Sequence, residues 1–467
     1  MPDPAPDAER PQSAAAESCA LAYVPPPGWT PDAPPREVLA GPAPASDAAA
    51  PHGAAPSPWS PTLRLAFRFV SALVVFTTLP VFPEALLRWV ARAVLGFQQP
   101  AVWYPNGAGD KTIAWTALFC AWVAAVVVAV AWTALDRQRT EYERAHGWLR
   151  ALVRYTLGAE MLFYGFAKLF KTQFPDVALG RLVEPYGEFS PMSVLWTMMG
   201  HSTGYNIFCG AVEAIGGILL FWRRTVAAGA LLIVAAMANV VALNFAYDVT
   251  VKLHSLGLLA LALVLLAPDA RRLWAAVVLG HAVGPASTAT PALASDTSPE
   301  RRRIRVGIKA MLVVGAVGSA AYMSWAQWRA QTAPPPPLWG LYDIETFALD
   351  GAERPPLTTD SLRWRRLALD RSGRSTIQVM SDSVRRVAYS LNERGRRLSF
   401  ELPPTFGRTE AQPVAEFTYA EPALGRLVLE GTVGGHPARL ILRRVDHTRF
   451  TLLSRGFHWV QDDNFQR

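Results

Sequence analysis

The sequence predicts a polytopic, mainly α-helical membrane protein with an all-β domain, an antiparallel barrel or sandwich, at its C-terminal end. Three observations carry that prediction. Apolar runs long enough to cross a hydrocarbon core recur between residues 63 and 325. Arginines and lysines gather in short loops between alternate runs. After residue 338 the pattern changes to short alternating runs separated by turn residues. Composition agrees: 18% of residues are charged, against about 25% in a soluble domain. The net charge of +8 does not point to nucleic acid, because the arginines sit where they set membrane orientation.

Residues 1–61 are rich in proline and alanine and bury too little apolar surface to fold, so a disordered tail is expected. No basic stretch followed by an apolar run appears before residue 60, and no cleavable signal is expected. Residues 62–147 read as two spans with an interfacial helix between them. Leu63 to Val81 is the first span, with Arg64 and Arg68 at its start. Glu84 to Phe97 carries Arg88 and Arg92 on one face and reads as a helix in the interface plane. Trp103 and Tyr104 follow as interfacial aromatics. In Asn106-Gly-Ala-Gly-Asp110, Asp110 is expected to cap the next helix, an anion-binding turn being the alternative. Thr112 to Leu135 is the second span.

Residues 148–280 form a four-span core. Trp148 to Lys171 is the third span, Tyr205 to Trp222 the fourth, Thr225 to Ala246 the fifth and Val249 to Leu266 the sixth. Pro191 to Met199 is a short helix before the fourth. Residues 281–303 read as a flexible linker, and Ile304 to Trp325 is a seventh span within a segment 304–333. The cations at Arg137, Arg139, Arg144, Arg223, Arg224, Arg271, Arg272 and Arg301 to Arg303 then share one side, expected to be cytoplasmic. The N-terminus falls inside and the C-terminal domain outside, in the periplasm or beyond the cell. The inner membrane of a bacterium is the expected location.

Residues 334–467 open with Pro334 to Pro337, a stiff spacer. Strands are expected at Trp364 to Leu369, Thr376 to Met380, Arg386 to Leu391, Leu398 to Leu402, Ala415 to Tyr419, Arg426 to Thr432, Ala438 to Arg443 and Phe450 to Ser454. Trp364, Phe450, Phe457 and Trp459 are expected in the core, and Arg363, Arg365 and Arg366 on a solvated face. The closing segment from Ser454 is expected to complete the sheet, a docking or lid element being the alternative. Three cysteines, Cys19, Cys120 and Cys209, have no metal-binding spacing, and no metal is expected.

The candidate site is a set of polar residues within the four-span core: Arg154, Glu160, Tyr164, Lys168, Glu213, Asn239, Asn244, Asp248, Lys252 and His254. A charge at bilayer depth costs roughly 2.5–3.5 kcal/mol or more, so such groups face a bundle interior and pair. The charges balance, Arg154, Lys168 and Lys252 against Glu160, Glu213 and Asp248. Glu160, Tyr164 and Lys168 share one helical face. Gly210, Gly216 and Gly217 flank Glu213 and let a neighbouring helix approach. Most of these groups fall at mid-depth or toward the outer side, only Arg154 lying near the inner end, and an outward-opening polar pocket is expected. A network that only fixes helix packing is the competing reading.

The elements Arg154…Gly158…Phe163-Tyr-Gly-Phe-Ala-Lys168, Gly210-Ala-Val-Glu213-Ala-Ile-Gly-Gly217 and Tyr247-Asp-Val-Thr-Val-Lys252 resemble the DoxX-like integral membrane family over residues 148–273. That resemblance implies a four-helix membrane bundle. It also implies a subunit or accessory of an envelope redox system, with a quinone headgroup or other small molecule as ligand and a redox enzyme as partner alongside membrane lipid. A transporter and a non-catalytic envelope scaffold using the β-domain for binding are the other two readings. No reaction, and no catalytic residue, is legible in the sequence.

Overall fold

The structure, a computed structural model, describes residues 59–98, 109–283, 298–404 and 410–465. The expected tail up to residue 58, Cys19, Trp103, Tyr104, most of the Asn106 to Asp110 turn and the linker segment 284–297 lie outside them.

Among the described residues ten α-helices precede the β-domain: α1 (Pro61–Thr78), α2 (Glu84–Ala93), α3 (Thr112–Leu135), α4 (Glu143–Leu169), α5 (Pro191–His201), α6 (Thr203–Leu220), α7 (Val226–Ala246), α8 (Lys252–Leu266), α9 (Ala270–Val277) and α10 (Pro299–Gln331). Among the described residues six helices are long and apolar enough to cross a membrane: α1, α3, α6, α7, α8 continued into α9, and α10. The fourth helix, α4, falls outside the six. It carries Arg150, Arg154, Glu160 and Lys168 and turns much of its surface into the protein.

Local chemistry sets several helix starts. Ser60, Ser190 and Ser202 each accept a hydrogen bond from a first-turn N–H, at Leu63, Ser193 and Tyr205. Pro61 and Pro191 occupy the first turn, where their missing N–H costs nothing. Pro299 does the same for α10, so residues 299–303, expected in the linker, are helical. Along α2, Glu84 pairs with Arg88 at 2.6 Å.

The helices α4, α6, α7 and α8 form a closed ring, α4 against α6, α6 against α7, α7 against α8, and α8 back on α4. Its apolar centre includes Val153, Leu157, Met161, Leu220, Ile233 and Leu258. The α4–α6 seam is the tightest. A Cβ on Gly165 would sit 2.8 Å from the Ala214 nitrogen, and one on Gly210 would sit 2.6 Å from the Gly165 carbonyl. Only glycine permits that approach. On one side α10 packs on α4 through Val313, Ala316, Val317 and Ala320. On another, α1 joins α3 through Arg68, which is buried and donates to Thr133 Oγ1 of α3 at 2.8 Å, and beyond α3 to the Asp136 carbonyl at 2.8 Å and the Tyr142 hydroxyl at 2.6 Å.

Among the described residues the β-domain has nine strands: β1 (Gly340–Leu349), β2 (Ala352–Glu353), β3 (Trp364–Leu369), β4 (Arg374–Val379), β5 (Val384–Asn392), β6 (Arg397–Leu402), β7 (Gln412–Ala423), β8 (Arg426–Val433) and β9 (His436–Val445). Leaving aside the two-residue β2, eight strands form an antiparallel meander that closes when β9 pairs with β1, from Leu341↔Val445 to Leu349↔Ala438. It is a barrel. Eight strands leave an interior just wide enough for side chains, and here it is filled. Trp364 packs edge-on against Phe400 and Phe417 at centroid distances of 5.9 and 6.1 Å, with Phe347, Leu367, Leu429 and Leu440 around them.

Four expectations for this domain are corrected. The strand β1 was absent from the pattern, because a bulge between Ile344 and Thr346 breaks its two-residue period. Phe450 to Ser454 is no strand: Thr451–Ser454 is one helical turn, since β9 already pairs with β1 and leaves no free edge. Phe457 and Trp459 are therefore not core, at 78% and 91% exposed, and the segment from Ser454 does not complete the sheet. Arg363 is buried, not solvated. Its guanidinium donates to the carbonyls of Arg354, just past β2, and of Glu345, at the β1 bulge.

Between α4 and α5 the chain runs across the barrel wall. Leu179 and Val183 pack against Leu341 and Ala368. The Leu179 N–H donates to Asp370 Oδ1 at 2.9 Å, and Gln378 Nε2 donates to the Val183 carbonyl at 3.0 Å. Glu184 accepts from Arg181 at 2.7 Å and Arg386 at 2.6 Å. The barrel is thus clamped to the loop that leaves the C-terminal end of α4.

Candidate functional site

The same loop begins in the wall of a cavity. Gln173 and Phe174 line it and lie just ahead of the residues docked on the barrel. The cavity has a volume of about 510 Å³ and lies between α4, α5, α6, α7 and α8. Most of its wall is apolar, with Met161, Phe174, Trp196, Met199, Phe208 and Met237. Phe174 and Trp196 meet edge to face at 5.1 Å.

Within that apolar wall sits one buried ion pair. Lys168 Nζ on α4 donates to both carboxylate oxygens of Glu213 on α6, at 2.7 and 2.9 Å. The side chains are 8% and 4% exposed. The Tyr164 ring lies one turn before, 5.7 Å from Lys168 Nζ, and its other neighbour is His254 of α8 at a centroid distance of 5.5 Å. His254 Nε2 is 3.7 Å from Glu160 Oε2. A row of polar groups therefore runs from the buried pair through Tyr164 to the half-exposed His254 and Glu160.

Of the ten residues expected at the site, Tyr164, Lys168, Glu213, Asn239, Asn244 and His254 line the cavity. Glu160 reaches it only through His254. Asn244 Nδ2 donates to Ser255 Oγ at 3.0 Å, which ties α7 to α8 inside the wall. Asp248 and Lys252 pair with each other at 2.7 Å at the α7–α8 turn, with Asp248 84% exposed, and neither lines the cavity. Asp248 has a φ of +50°, a left-handed turn position that a short polar side chain tolerates. Arg154 is not part of the cluster. It lies about 21 Å along α4 from Lys168, taking 1.5 Å per residue, and its Nε donates to the Leu220 carbonyl at 2.9 Å.

Three further features belong to the site. Gln173 presents a buried Oε1 with no hydrogen-bond partner among the described residues. It falls just past the apolar run, where hydropathy gives no signal. Ser255 partners Asn244 and adjoins His254, a proximity in sequence that could have flagged it. Asp110 does not cap α3 as expected. Its carboxylate accepts from the N–H groups of Lys252 and Leu253 at 2.8 and 2.9 Å, and so caps α8 from the loop before α3. That cap fixes the helix end that carries His254.

The cavity can hold a partly apolar molecule of modest size, since pockets of about 300–1,000 Å³ take such ligands. Its polar lining offers a charged donor, a carboxylate, a phenol, an imidazole and three amides. Among the described residues no group of His, Cys, Asp and Glu is placed to hold a metal ion.

No family model matches the chain, and no solved structure matches it. Over 122 residues the chain is 31% identical to a Bacillus subtilis (strain 168) protein described as "Uncharacterized protein YwoB", a match covering 26% of this chain and 77% of that protein.

Proposed function

For a chain that belongs to the family of the Bacillus subtilis protein YwoB, we propose a membrane-embedded receptor site for a small amphipathic molecule with an oxygen-bearing headgroup, of which a quinone is the type. The ligand's apolar part lies against Met161, Trp196 and Phe208, and its headgroup meets Lys168, Glu213, Tyr164 and His254. The observation that carries this reading is the Lys168–Glu213 pair. A buried ion pair costs several kcal/mol per charge in desolvation and is weak evidence for stability alone. Here it opens onto a cavity of about 510 Å³, where its donors and acceptors can meet a ligand.

In the membrane, α4 counts as a seventh span, because Arg154 and Lys168 are buried within the bundle. The loops with Arg137 to Arg144, Arg223-Arg224 and Arg271-Arg272 then lie in the cytoplasm, and the barrel stands outside. A bacterial inner membrane fits that arrangement. The DoxX-like resemblance adds the role of subunit or accessory to an envelope redox system.

The test is a titration of the detergent-purified chain with a short-chain ubiquinone analogue, followed by calorimetry and by quenching of tryptophan emission. Saturable binding that is weakened at least about tenfold in Glu213→Gln paired with Lys168→Gln supports the reading; the tenfold corresponds to about 1.4 kcal/mol, one charge-assisted hydrogen bond. Absence of saturable binding, or equal binding by the double variant, overturns it.

A further inference from the structure

Cations from three helical elements converge at the end of the bundle remote from the barrel. Arg154 of α4 is 9% exposed and donates to the Leu220 carbonyl, at the C-terminal end of α6. Two residues on, Trp222 receives Lys309 of α10, whose Nζ lies 5.7 Å from the ring centroid. Arg223 and Arg224 form the turn itself. Arg154, Arg223 and Lys309 lie close enough to interact electrostatically. Among the described residues none of these three is paired with a carboxylate. Asp269 is already engaged by Arg150 at 3.8 Å and Arg272 at 3.6 Å.

Such a concentration of like charge is unfavourable unless an anion joins it. The surroundings describe that anion. Beside the cations, the rings of Phe221 and Tyr155 meet at a tilt, 5.6 Å apart, against the side of α10. Along α10 only Ala320 and Ser324 are buried, and Ile308, Met311 and Leu312 are exposed. An anion with a long apolar tail satisfies both halves of the site.

We infer that the cation cluster where α4, α10 and the α6–α7 turn meet binds the phosphate of an anionic phospholipid through Arg154, Arg223 and Lys309, with an acyl chain along α10. Basic pockets between membrane helices at a bilayer surface hold headgroups in this way. Arg154 supplies the fixed element, since its hydrogen bond to the Leu220 carbonyl sets the guanidinium in place. Lys309 and Arg223 close on the phosphate from two other sides. This site is separate from the cavity at Lys168 and does not depend on what that cavity binds.

The full chain in a non-ionic detergent is titrated with phosphatidylglycerol, phosphatidylcholine and inorganic phosphate, and bound species are counted by native mass spectrometry. Phosphatidylglycerol is expected to bind at least about tenfold more tightly than phosphatidylcholine. Arg154→Gln with Lys309→Gln is expected to abolish that preference, while Arg385→Gln in the barrel keeps it. Equal binding of the two lipids overturns the inference, as does a preference that survives in the double variant. Displacement of the lipid by millimolar inorganic phosphate also overturns it, by assigning the cations to a soluble anion. If Arg154→Gln does not fold, Lys309→Gln with Arg223→Gln gives the same comparison from more accessible positions.

Discussion

Lys168 and Glu213 meet across the α4–α6 seam with both carboxylate oxygens engaged, at 2.7 and 2.9 Å, in a setting where each side chain is almost fully buried. Removing one partner leaves an uncompensated buried charge. Lys168→Met or Glu213→Leu alone is expected to destabilise the protein by about 3–5 kcal/mol. The double change is expected to restore most of that loss, since it removes both charges. Thermal melts of the parent, the two single variants and the double variant form the cycle that measures it. Additive single effects would show that the two residues act independently.

The seam itself rests on Gly165 and Gly210. A Cβ at either position would come within 3 Å of the facing backbone. Gly165→Val is expected to cost roughly 1–3 kcal/mol or more through forced separation of the helices. It should also lengthen the Lys168–Glu213 contact, which reduces ligand binding at the cavity. Gly187→Ala is the control, because its Cβ would meet nothing within 4 Å. Matched melting temperatures for the two variants would contradict the close-packed seam.

Asp110 caps α8 across a long sequence separation. Asp110→Ala is expected to cost about 0.5–2 kcal/mol, the usual worth of a cap. Hydrogen exchange should quicken at the amides of Lys252 and Leu253 before any other part of the bundle. Unchanged protection there would refute the cap.

Two barrel carboxylates give opposite acid responses. Arg354, together with the N–H groups of Arg363 and Leu362, holds Asp360 at about 2, below its ordinary value of 3.8. Its contribution to stability is present above about pH 4 and is lost as pH falls toward 2. Burial pushes Asp370 upward, against the pull of the Leu179 and Gly180 N–H groups. Its contribution is present below its ordinary range and is lost as pH rises through the shifted value. Acid titration of the intact chain, read by tryptophan emission, should show a step between pH 4 and 2 that Asp360→Asn removes. Asp370→Asn should leave that step and raise stability at neutral pH relative to acid. An acid step of the same size in Asp360→Asn would sink this assignment.

Much of the architecture was legible in the chain. The second apolar run matched α3 from Thr112 to Leu135, and Trp364 to Leu369 matched β3. Both are signalled by nearest neighbours, hydropathy in one case and alternation in the other. The site was legible only as a list. Of the ten polar residues that the pattern marks, six line one cavity. Arg154 belongs to the opposite end of the bundle, and Asp248 with Lys252 form a turn pair outside the wall. Depth along a helix can be counted from sequence, but its facing neighbour cannot. For that reason the sequence points Asp110 at the adjacent helix, whereas it caps α8.

The sequence by itself determined which stretches are helical and apolar, where strands alternate, and that charges inside the bundle must find partners, because each follows from local composition and period. Only the tertiary structure decided the partners. Lys168 pairs with Glu213 because Gly165 and Gly210 let α6 approach α4 closely. β9 closes onto β1, and the chain after Val445 has no edge left to join. Pairing across a fold depends on which surfaces come into contact, and that is settled by packing.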